Sequence, residues 1–315
     1  MSVKVKLLVL ALASLLACTL FLFYDLGVNW EYAFNRRSIK IITIVTVACS
    51  IAYSSLVFQT ITNNRILTPA IMGFEAVYLL FQTLIVFVYG DRSYKVLNES
   101  GNFLVSVALM LLFALVLYLL FFRKEGKNIH YLLLTGLVMG ILFMTVGSFL
   151  QVLVHPNDFL SIQGKMFASF NKINYPILWY AIGVMILCFV LGVRYLKYLD
   201  VMALGRDNAV GLGVNYPSVV RFYLLSIAVL VAVSTALVGP LTFLGVMVCN
   251  LSYVLFKTYK HSVLLAGCCL IAILSLVLGQ FVVEYVFNFS TTISIITNFV
   301  GGVFFLFLLL NTRNL

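Results

Sequence analysis

Long apolar runs separated by short polar stretches follow one another along the chain, and their spacing predicts its secondary structure. Within each run the hydrophobic residues are nearly continuous rather than alternating, which favours membrane-spanning helices over the strands of a barrel. A helix needs about 20 such residues to cross the hydrocarbon core of a bilayer. Ten runs fit, the eighth being short: residues 5–23, 39–62, 69–89, 101–122, 130–153, 177–198, 216–237, 241–256, 262–284 and 294–311.

Two breaks between runs predict distortions of the helical path. Before the eighth run, Gly239 permits a tight turn and Pro240 lacks the backbone donor that a continuing helix needs. Before the third run, Pro69 occupies a position where a helix can start, and Thr68 precedes it as a candidate N-cap. The helices on either side of each break are therefore expected to be separate or kinked.

The composition excludes a water-soluble protein. Of the 315 residues, 63% are hydrophobic and 10% are charged, and the mean hydropathy is +1.12, whereas soluble domains carry about 25% charged residues. No loop is long enough for a separate domain, so residues 1–315 are predicted to form one transmembrane domain. No G-x-x-x-x-G-K-[ST] phosphate-binding motif occurs in the sequence, so an ATP-driven function would need an ATPase on another chain.

The candidate metal ligands are scattered. The six cysteines fall within apolar runs and form no C-x-x-C pair, and the three histidines lie far apart near the ends of runs. We interpret the cysteines as packing residues and the histidines as solvated loop residues, and we expect no metal site and no cofactor. Lys4 and Lys6 before Leu7–Ala17 resemble a signal peptide, but the run continues to Phe23, which favours a retained first helix.

The distribution of basic residues predicts the orientation of the chain. With a cytoplasmic N-terminus, ten spans return the C-terminus to the cytoplasm, with 13 basic residues inside and 7 outside. The inner set is Lys4, Lys6, Arg65, Arg123, Lys124, Lys127, Arg194, Lys197, Arg206, Arg221, Lys257, Lys260 and Arg313, and the outer set is Arg36, Arg37, Lys40, Arg92, Lys95, Lys165 and Lys172. The net charge of +10 mostly reflects this asymmetry, so it does not indicate nucleic-acid binding.

The segment between the sixth and seventh runs, residues 200–214, is the most informative polar stretch. It is polar enough to leave the membrane, yet it keeps apolar residues such as Leu204 and Leu212. Glycines at 205, 211 and 213 divide it into short helical pieces. Two interpretations stay open: an ordinary pair of interfacial helices, or a docking site for a cytoplasmic partner.

Polar residues within or near the runs suggest a path, although packing explains them too. Glu75 is the only acid well within a run, and intramembrane acids usually face a cavity or a partner. Gln59 and Asn63 lie four residues apart, on one face of the second helix, where they border a polar path or bond to a neighbouring helix. Gly136 and Gly140 form a G-x-x-x-G pair, for which close helix packing is the expected role.

A basic cluster on the predicted outer side runs against the positive-inside trend. Arg36, Arg37 and Lys40 lie there within five positions of one another. They would contact lipid headgroups, hold acidic residues of a partner protein or steer an anionic solute.

Several strings together resemble the FecCD family of iron–siderophore permeases, which shares its fold with the cobalamin permease BtuC. The resemblance rests on Gln59-Thr-Ile-Thr-Asn-Asn-Arg-Ile-Leu-Thr-Pro69, on Leu204-Gly-Arg-Asp-Asn-Ala-Val-Gly-Leu-Gly213 and on Val238-Gly-Pro-Leu-Thr-Phe-Leu-Gly245. The stretch 163–169 is similar to the branch handling petrobactin, anguibactin and other catecholate siderophores. The chain departs from the family where Arg206 precedes Asp207 and where Cys249-Asn250 replaces Pro-His.

The resemblance implies an all-α integral membrane protein with ten transmembrane helices, a BtuC-like type II ABC importer permease of the bacterial cytoplasmic membrane. It implies a dimer with a second permease subunit, either a related chain or a copy. It further implies a cytoplasmic ABC ATPase dimer, an extracytoplasmic siderophore-binding protein and ferric siderophore as the transported substrate, with no catalytic site in this chain.

Three groups of candidate residues follow from the patterns and the resemblance together. The ATPase-coupling group is Met202, Leu204, Gly205, Arg206, Asp207 and Leu212. The translocation-path group is Gln59, Asn63, Glu75, Gly239 and Pro240, and the binding-protein docking group is Arg36, Arg37 and Lys40.

Other functions stay open on the sequence. An ion-coupled secondary transporter would need titratable residues in mid-membrane, where Glu75 stands nearly alone. An ABC importer for heme or cobalamin would share the fold. A membrane-embedded enzyme would need a catalytic constellation, and the sequence has no Ser-His-Asp, H-E-x-x-H or paired-carboxylate arrangement.

Overall fold

The computed structural model describes residues 2–25, 27, 29–90, 97–122, 129–171 and 173–311, with the backbone alone at 121, 122, 129, 130, 308, 309 and 311. Some residues used in the orientation argument lie outside these ranges. They are Arg92, Lys95, Arg123, Lys124, Lys127, Lys172 and Arg313.

The described residues form twelve α-helices and no strand. They are α1 (Val3–Phe23), α2 (Trp30–Thr62), α3 (Phe74–Tyr89), α4 (Glu99–Phe122), α5 (Ile129–Leu153), α6 (Pro156–Met166), α7 (Tyr175–Met202), α8 (Arg206–Gly211), α9 (Tyr216–Val238), α10 (Leu244–Phe256), α11 (His261–Tyr285) and α12 (Ile293–Asn311).

Length and composition separate these helices into two kinds. Within the described ranges, seven are long and apolar enough to cross a membrane, and α3, α10 and α12 are shorter apolar helices. These ten follow the order of the ten apolar runs, while α6 and α8 are short additions between them. The all-α membrane fold class is confirmed.

Three elements differ from the hydropathy pattern. Helix α2 begins at Trp30 and has 33 residues, because its polar first turns continue the helix beyond the apolar run. Helix α6 was not predicted, since it is too polar to register as a span, although Pro156 stands in its first turn. The third run divides into a 3₁₀ turn, Pro69–Met72, and α3, because Gly73 turns the backbone with φ +87°.

Helix α2 is the centre of the bundle. It packs against α7, α9, α10 and α11. Its inward face carries small hydroxyl residues, and Thr43 and Ser50 each donate to the backbone carbonyl four residues earlier, at 2.8 and 2.9 Å. Hydroxyls satisfied in this way can be buried without a distant partner, and their small size lets neighbouring helices approach.

The G-x-x-x-G pair of α5 is a packing site. A Cβ on Gly140 would lie 2.9 Å from the Cα of Gly73, and one on Gly136 would lie 3.0 Å from the carbonyl oxygen of Met72. The backbones of α5 and of the turn before α3 therefore touch, which only glycine allows at these positions.

Long-range contacts define the two ends of the bundle. At one end, Lys6 Nζ donates to the carbonyl of Leu255 at 2.6 Å, joining the start of α1 to the last turns of α10. Residues 200–214 lie at this end, which we call the coupling-segment end. At the opposite end, Lys40 of α2 bonds Glu284 near the end of α11 at 2.5 Å.

Candidate coupling segment and translocation path

The coupling segment, residues 200–214, contains a short helix, α8, held between two glycine turns. Gly205 adopts φ +96° and Gly213 φ +83°, conformations that favour glycine. After α8, the N–H of Gly213 donates to Val210 O at 2.9 Å and the N–H of Val214 donates to Ala209 O at 3.0 Å. This pairing satisfies the last carbonyls of α8 and fixes the direction in which the chain leaves it.

The coupling segment presents an apolar surface. Leu204, Val210 and Leu212 are 59%, 53% and 65% exposed, whereas Ala209 is fully buried against the bundle. Met202 differs from the other members of the predicted coupling group, because it is 2% exposed and lies in the core. It anchors the end of α7 and does not contribute to the exposed surface.

Charged and aromatic residues surround this apolar surface. Arg206 and Asp207 in the first turn of α8 are exposed. The Arg206 guanidinium lies 6.0 Å from the ring centroid of Tyr216, the first residue of α9. The Tyr216 hydroxyl donates to the carbonyl of Ile61 in α2 at 3.4 Å, so the chain leaving the coupling segment is tied to the central helix.

His261 was interpreted from sequence as a solvated loop residue, and the structure corrects this. It is 3% exposed, since it begins α11 beneath the end of α7. Its backbone N–H donates to Asp200 Oδ1 at 2.7 Å, and its Nδ1 lies 2.7 Å from the same oxygen. Its Nε2 lies 2.8 Å from the hydroxyl of Thr60 in α2. No local sequence pattern signals this contact, because the three residues are far apart in the chain.

Part of the predicted path group meets in one cleft. Glu75 accepts a hydrogen bond from the Thr242 hydroxyl at 2.7 Å. Gly239 lies in the same cleft, which is also lined by Ser54, Ser55, Thr68, Pro69 and Gly245. The buried Ser54 hydroxyl has no hydrogen-bond partner among the described residues. The cleft therefore carries several polar side chains among its apolar lining.

The Gly239–Pro240 break is packed against the loop that follows α6. Gly239 has φ +99°, and a Cβ there would lie 3.0 Å from the Cα of Ala168. The Pro240 carbonyl accepts from the Ser294 hydroxyl at 3.0 Å, and Ser169 N–H donates to the Val238 carbonyl at 2.8 Å. The break thus joins α9, α10 and α12 at one place.

Gln59 and Asn63 do not line this cleft with Glu75. Gln59 is 2% exposed and its Nε2 donates to the carbonyl of Arg65 at 2.8 Å, a carbonyl that also accepts from Asn250 at 3.0 Å. Asn63 is exposed and ends α2 in a left-handed conformation with φ +48°. Both residues shape the turn that follows α2.

The outer basic cluster is mostly engaged within the chain. Lys40 is paired with Glu284 at 2.5 Å, with 11% and 8% of the two side chains exposed. Arg37 donates to carbonyls at the end of α1, including that of Asp25 at 3.0 Å, where a cation complements the helix dipole. Arg36 is exposed and lines a cavity of about 320 Å³ together with Lys40, Glu99, Asn171 and Tyr175.

A second buried polar cluster was not predicted. Gln82 of α3 is fully buried and donates to Asn102 and Ser106 of α4, each at 3.0 Å. Lys165 of α6 donates to Gln82 Oε1 at 2.7 Å. Burial lowers the pKa of the Lys165 ammonium from its ordinary value near 10.5. Within the described part of the chain, no group of three or more His, Cys, Asp or Glu residues could hold a metal ion.

Comparison with known proteins places these features in a family. The FecCD transport family matches residues 5–311. The petrobactin import system permease protein YclO of Bacillus subtilis (strain 168) is 51% identical over 98% of this chain and 97% of its own length. From Bacillus anthracis, the petrobactin import system permease protein FatC is 34% identical over 89% and 79%, and FatD is 28% identical over 90% and 82%.

The fold agrees with a solved structure. A structure described as an inward-facing conformation of a metal-chelate type ABC transporter superposes with a TM-score of 0.84 at 23% identity, covering 98% of this chain and 100% of that one. The predicted BtuC-like permease fold is thereby confirmed.

Proposed function

Because the chain belongs to the FecCD transport family, we propose that it is the permease subunit of an ATP-binding-cassette importer that moves a ferric siderophore across the cytoplasmic membrane. The observation that carries the proposal is the 51% identity to a petrobactin import permease over nearly the full length of both chains. The transported class is a ferric catecholate siderophore, with ferric petrobactin as the first candidate. The protein itself is a transport component, and a separate ATPase subunit hydrolyses ATP.

The coupling segment supplies the docking site for that ATPase. Its exposed leucines at 204 and 212 and its exposed Val210 would enter an apolar groove on the ATPase, with Arg206 and Asp207 at the rim. The two glycine turns fix the position of α8 between α7 and α9. When the ATPase dimer closes, displacement of α8 would therefore also displace α7 and α9. Such a movement would alternate access to a path between the two permease subunits.

The second permease subunit is proposed to be a related but different chain. Bacillus anthracis has two proteins named as petrobactin import permeases, FatC and FatD, and this chain is 34% identical to one and 28% identical to the other. A chain that resembles one member of such a pair more closely would occupy one half of a heterodimer.

Glu75, Thr242 and the Gly239–Pro240 break would border the path, since Glu75, Thr242 and Gly239 meet in a cleft that carries polar side chains. The N- and C-termini would be cytoplasmic, as the basic-residue asymmetry favours. At the opposite end, Arg36 is the exposed member of the basic cluster, held by Tyr32 of its own helix, and it would meet a carboxylate of the siderophore-binding protein. Lys40 and Arg37 would position α2 and α1 beneath that contact.

Uptake in a strain lacking its own siderophore permeases tests the proposal. The strain would express this chain with its partner permease, ATPase and binding protein. Uptake of radiolabelled iron would be measured for ferric petrobactin, a ferric hydroxamate and heme, and uptake of labelled cobalamin would be measured separately. We expect ATP-dependent uptake of ferric petrobactin that excess unlabelled ferric catecholate abolishes. Uptake of heme or cobalamin alone, or uptake that an uncoupler stops while ATP is constant, would contradict the proposal.

A further inference from the structure

Asp200, His261 and Thr60 form a continuous polar contact across three helices. Asp200, the first residue of the coupling segment, is in the last turn of α7, and its Oδ1 lies 2.7 Å from both the backbone N and the ring Nδ1 of His261. The other side of the imidazole meets the Thr60 hydroxyl of α2 at 2.8 Å. His261 and Thr60 are 3% and 8% exposed, so their contact is shielded from water, whereas the Asp200 side chain is 41% exposed and reaches the surface.

Contacts at both ends of the coupling segment lead to the same turn of α2. Asp200, at the start of the segment, contacts Thr60 through His261, and Tyr216, two residues after the segment ends, donates its hydroxyl to the carbonyl of Ile61. Thr60 and Ile61 are neighbours in the last turn of α2. A displacement of the coupling segment as a rigid body would therefore act on a single turn of the central helix from two directions.

The end of α2 in turn leads to the wall of the cleft that contains Glu75. The chain passes from Asn63, the C-cap of α2, to Thr68 and Pro69, which line the cleft. On the way, the carbonyl of Arg65 is held by side-chain amides from α2 and α10. Movement of the last turn of α2 is thus connected to the cleft by a short and tightly bonded segment.

We propose that Asp200, His261 and Thr60 act as a strut that transmits movement of the coupling segment to α2 and so to the translocation path. The inference rests on the proposed ATP-driven function and adds positioning residues that lie outside the ATPase contact. Removing any one member should leave ATPase docking and ATP hydrolysis in place while the transport achieved per ATP falls.

The test uses the full importer reconstituted in proteoliposomes, with transported ferric siderophore and hydrolysed ATP measured together. Thr60→Val removes the hydroxyl that contacts His261, together with its bond to the carbonyl of Leu56, with little change of side-chain size. Asp200→Ala removes the oxygen that accepts from both the backbone N–H and the ring of His261, at a side chain that is 41% exposed. Both variants therefore report on the strut even if His261→Gln fails to assemble. Loss of one buried hydrogen bond should lower the transport per ATP about tenfold. Thr60→Ser keeps the hydroxyl and should restore the ratio.

A matched control is Ser252→Ala. The Ser252 hydroxyl is fully buried and donates to Leu264 O at 3.2 Å, so it joins α10 to α11 near the same end without touching the coupling segment. This variant should keep the wild-type ratio of transport to ATP hydrolysis. A double variant of Thr60→Val with Asp200→Ala should have a ratio no lower than that of the more impaired single variant.

Two outcomes overturn different claims. If the wild-type importer shows ATP-dependent uptake and both Thr60→Val and Asp200→Ala keep its transport per ATP, the strut is wrong and the proposed function stands. If the wild-type importer shows no ATP-dependent uptake, the proposed function fails and the strut fails with it.

Discussion

Replacing Lys40 with methionine should lower the stability of the folded protein far more than the loss of an exposed basic residue would. Lys40 Nζ lies 2.5 Å from Glu284 Oε1, and the two side chains are 11% and 8% exposed. Lys40→Met would leave the Glu284 carboxylate in this site with Gln280 Nε2, at 2.7 Å, as its other donor. Breaking a buried ion pair from one side typically costs about 3–5 kcal/mol.

The same reasoning gives the opposite result when both charges are removed. A Lys40→Met/Glu284→Gln double variant leaves no uncompensated charge, so it should recover most of the lost stability. Thermal unfolding of the purified permease in detergent would be measured for the wild type, both single variants and the double variant. We expect each single variant to unfold several degrees lower, and the double variant to lie closer to the wild type.

An exposed lysine provides the control for this measurement. Lys260→Met removes an exposed charge at the other end of the bundle and should leave the unfolding temperature nearly unchanged. If Lys40→Met unfolded at the temperature of Lys260→Met, the buried pairing with Glu284 would be wrong.

Three further predictions address other parts of the molecule. Gly140→Ala should lower the yield of folded protein, because the added Cβ would lie 2.9 Å from the Cα of Gly73. Gly164→Ala, whose Cβ would meet no atom within 4 Å, should keep the wild-type yield, and size-exclusion profiles of the two variants would be compared. Arg36→Glu should weaken binding-protein association, more so at low salt, and unchanged affinity would refute that contact. Lys165→Gln should remove a pH dependence of the free energy of unfolding. Burial lowers the pKa of Lys165 in the folded state, so the stability of the wild type should rise with pH between that pKa and about 10.5. Equal profiles of stability against pH for the wild type and the variant would exclude the effect.

Hydropathy was sufficient to predict the membrane helices, because each long apolar run must bury itself in lipid as a helix. It was insufficient where a helix continues into water. The first turns of α2, from Trp30 onwards, are polar and helical, and α6 has too few apolar residues to register. Caps give a weak local signal in such cases, as Pro156 does at the start of α6.

The roles of individual side chains were harder to predict, because they depend on contacts between distant residues. Lys40 and Glu284 are 244 positions apart, and His261 lies 201 positions from Thr60. Sequence placed Lys40 on a docking surface and His261 in a solvated loop, since polar residues at the ends of runs are usually exposed. For Glu75, the sequence predicted that the side chain faces a cavity or a partner. It did not identify that partner as Thr242, which is 167 positions away.

The coupling segment provides the most direct test of the account. The ATPase subunit would be co-purified with the permease carrying Leu204→Arg and, as a control, with the permease carrying Leu160→Arg. Leu160 lies on α6 at the opposite end and is 67% exposed, compared with 59% for Leu204. We predict that Leu204→Arg loses the ATPase and iron uptake, because a charge is placed in the apolar contact, and that Leu160→Arg keeps the ATPase. Retention of both the ATPase and iron uptake by Leu204→Arg would contradict the account.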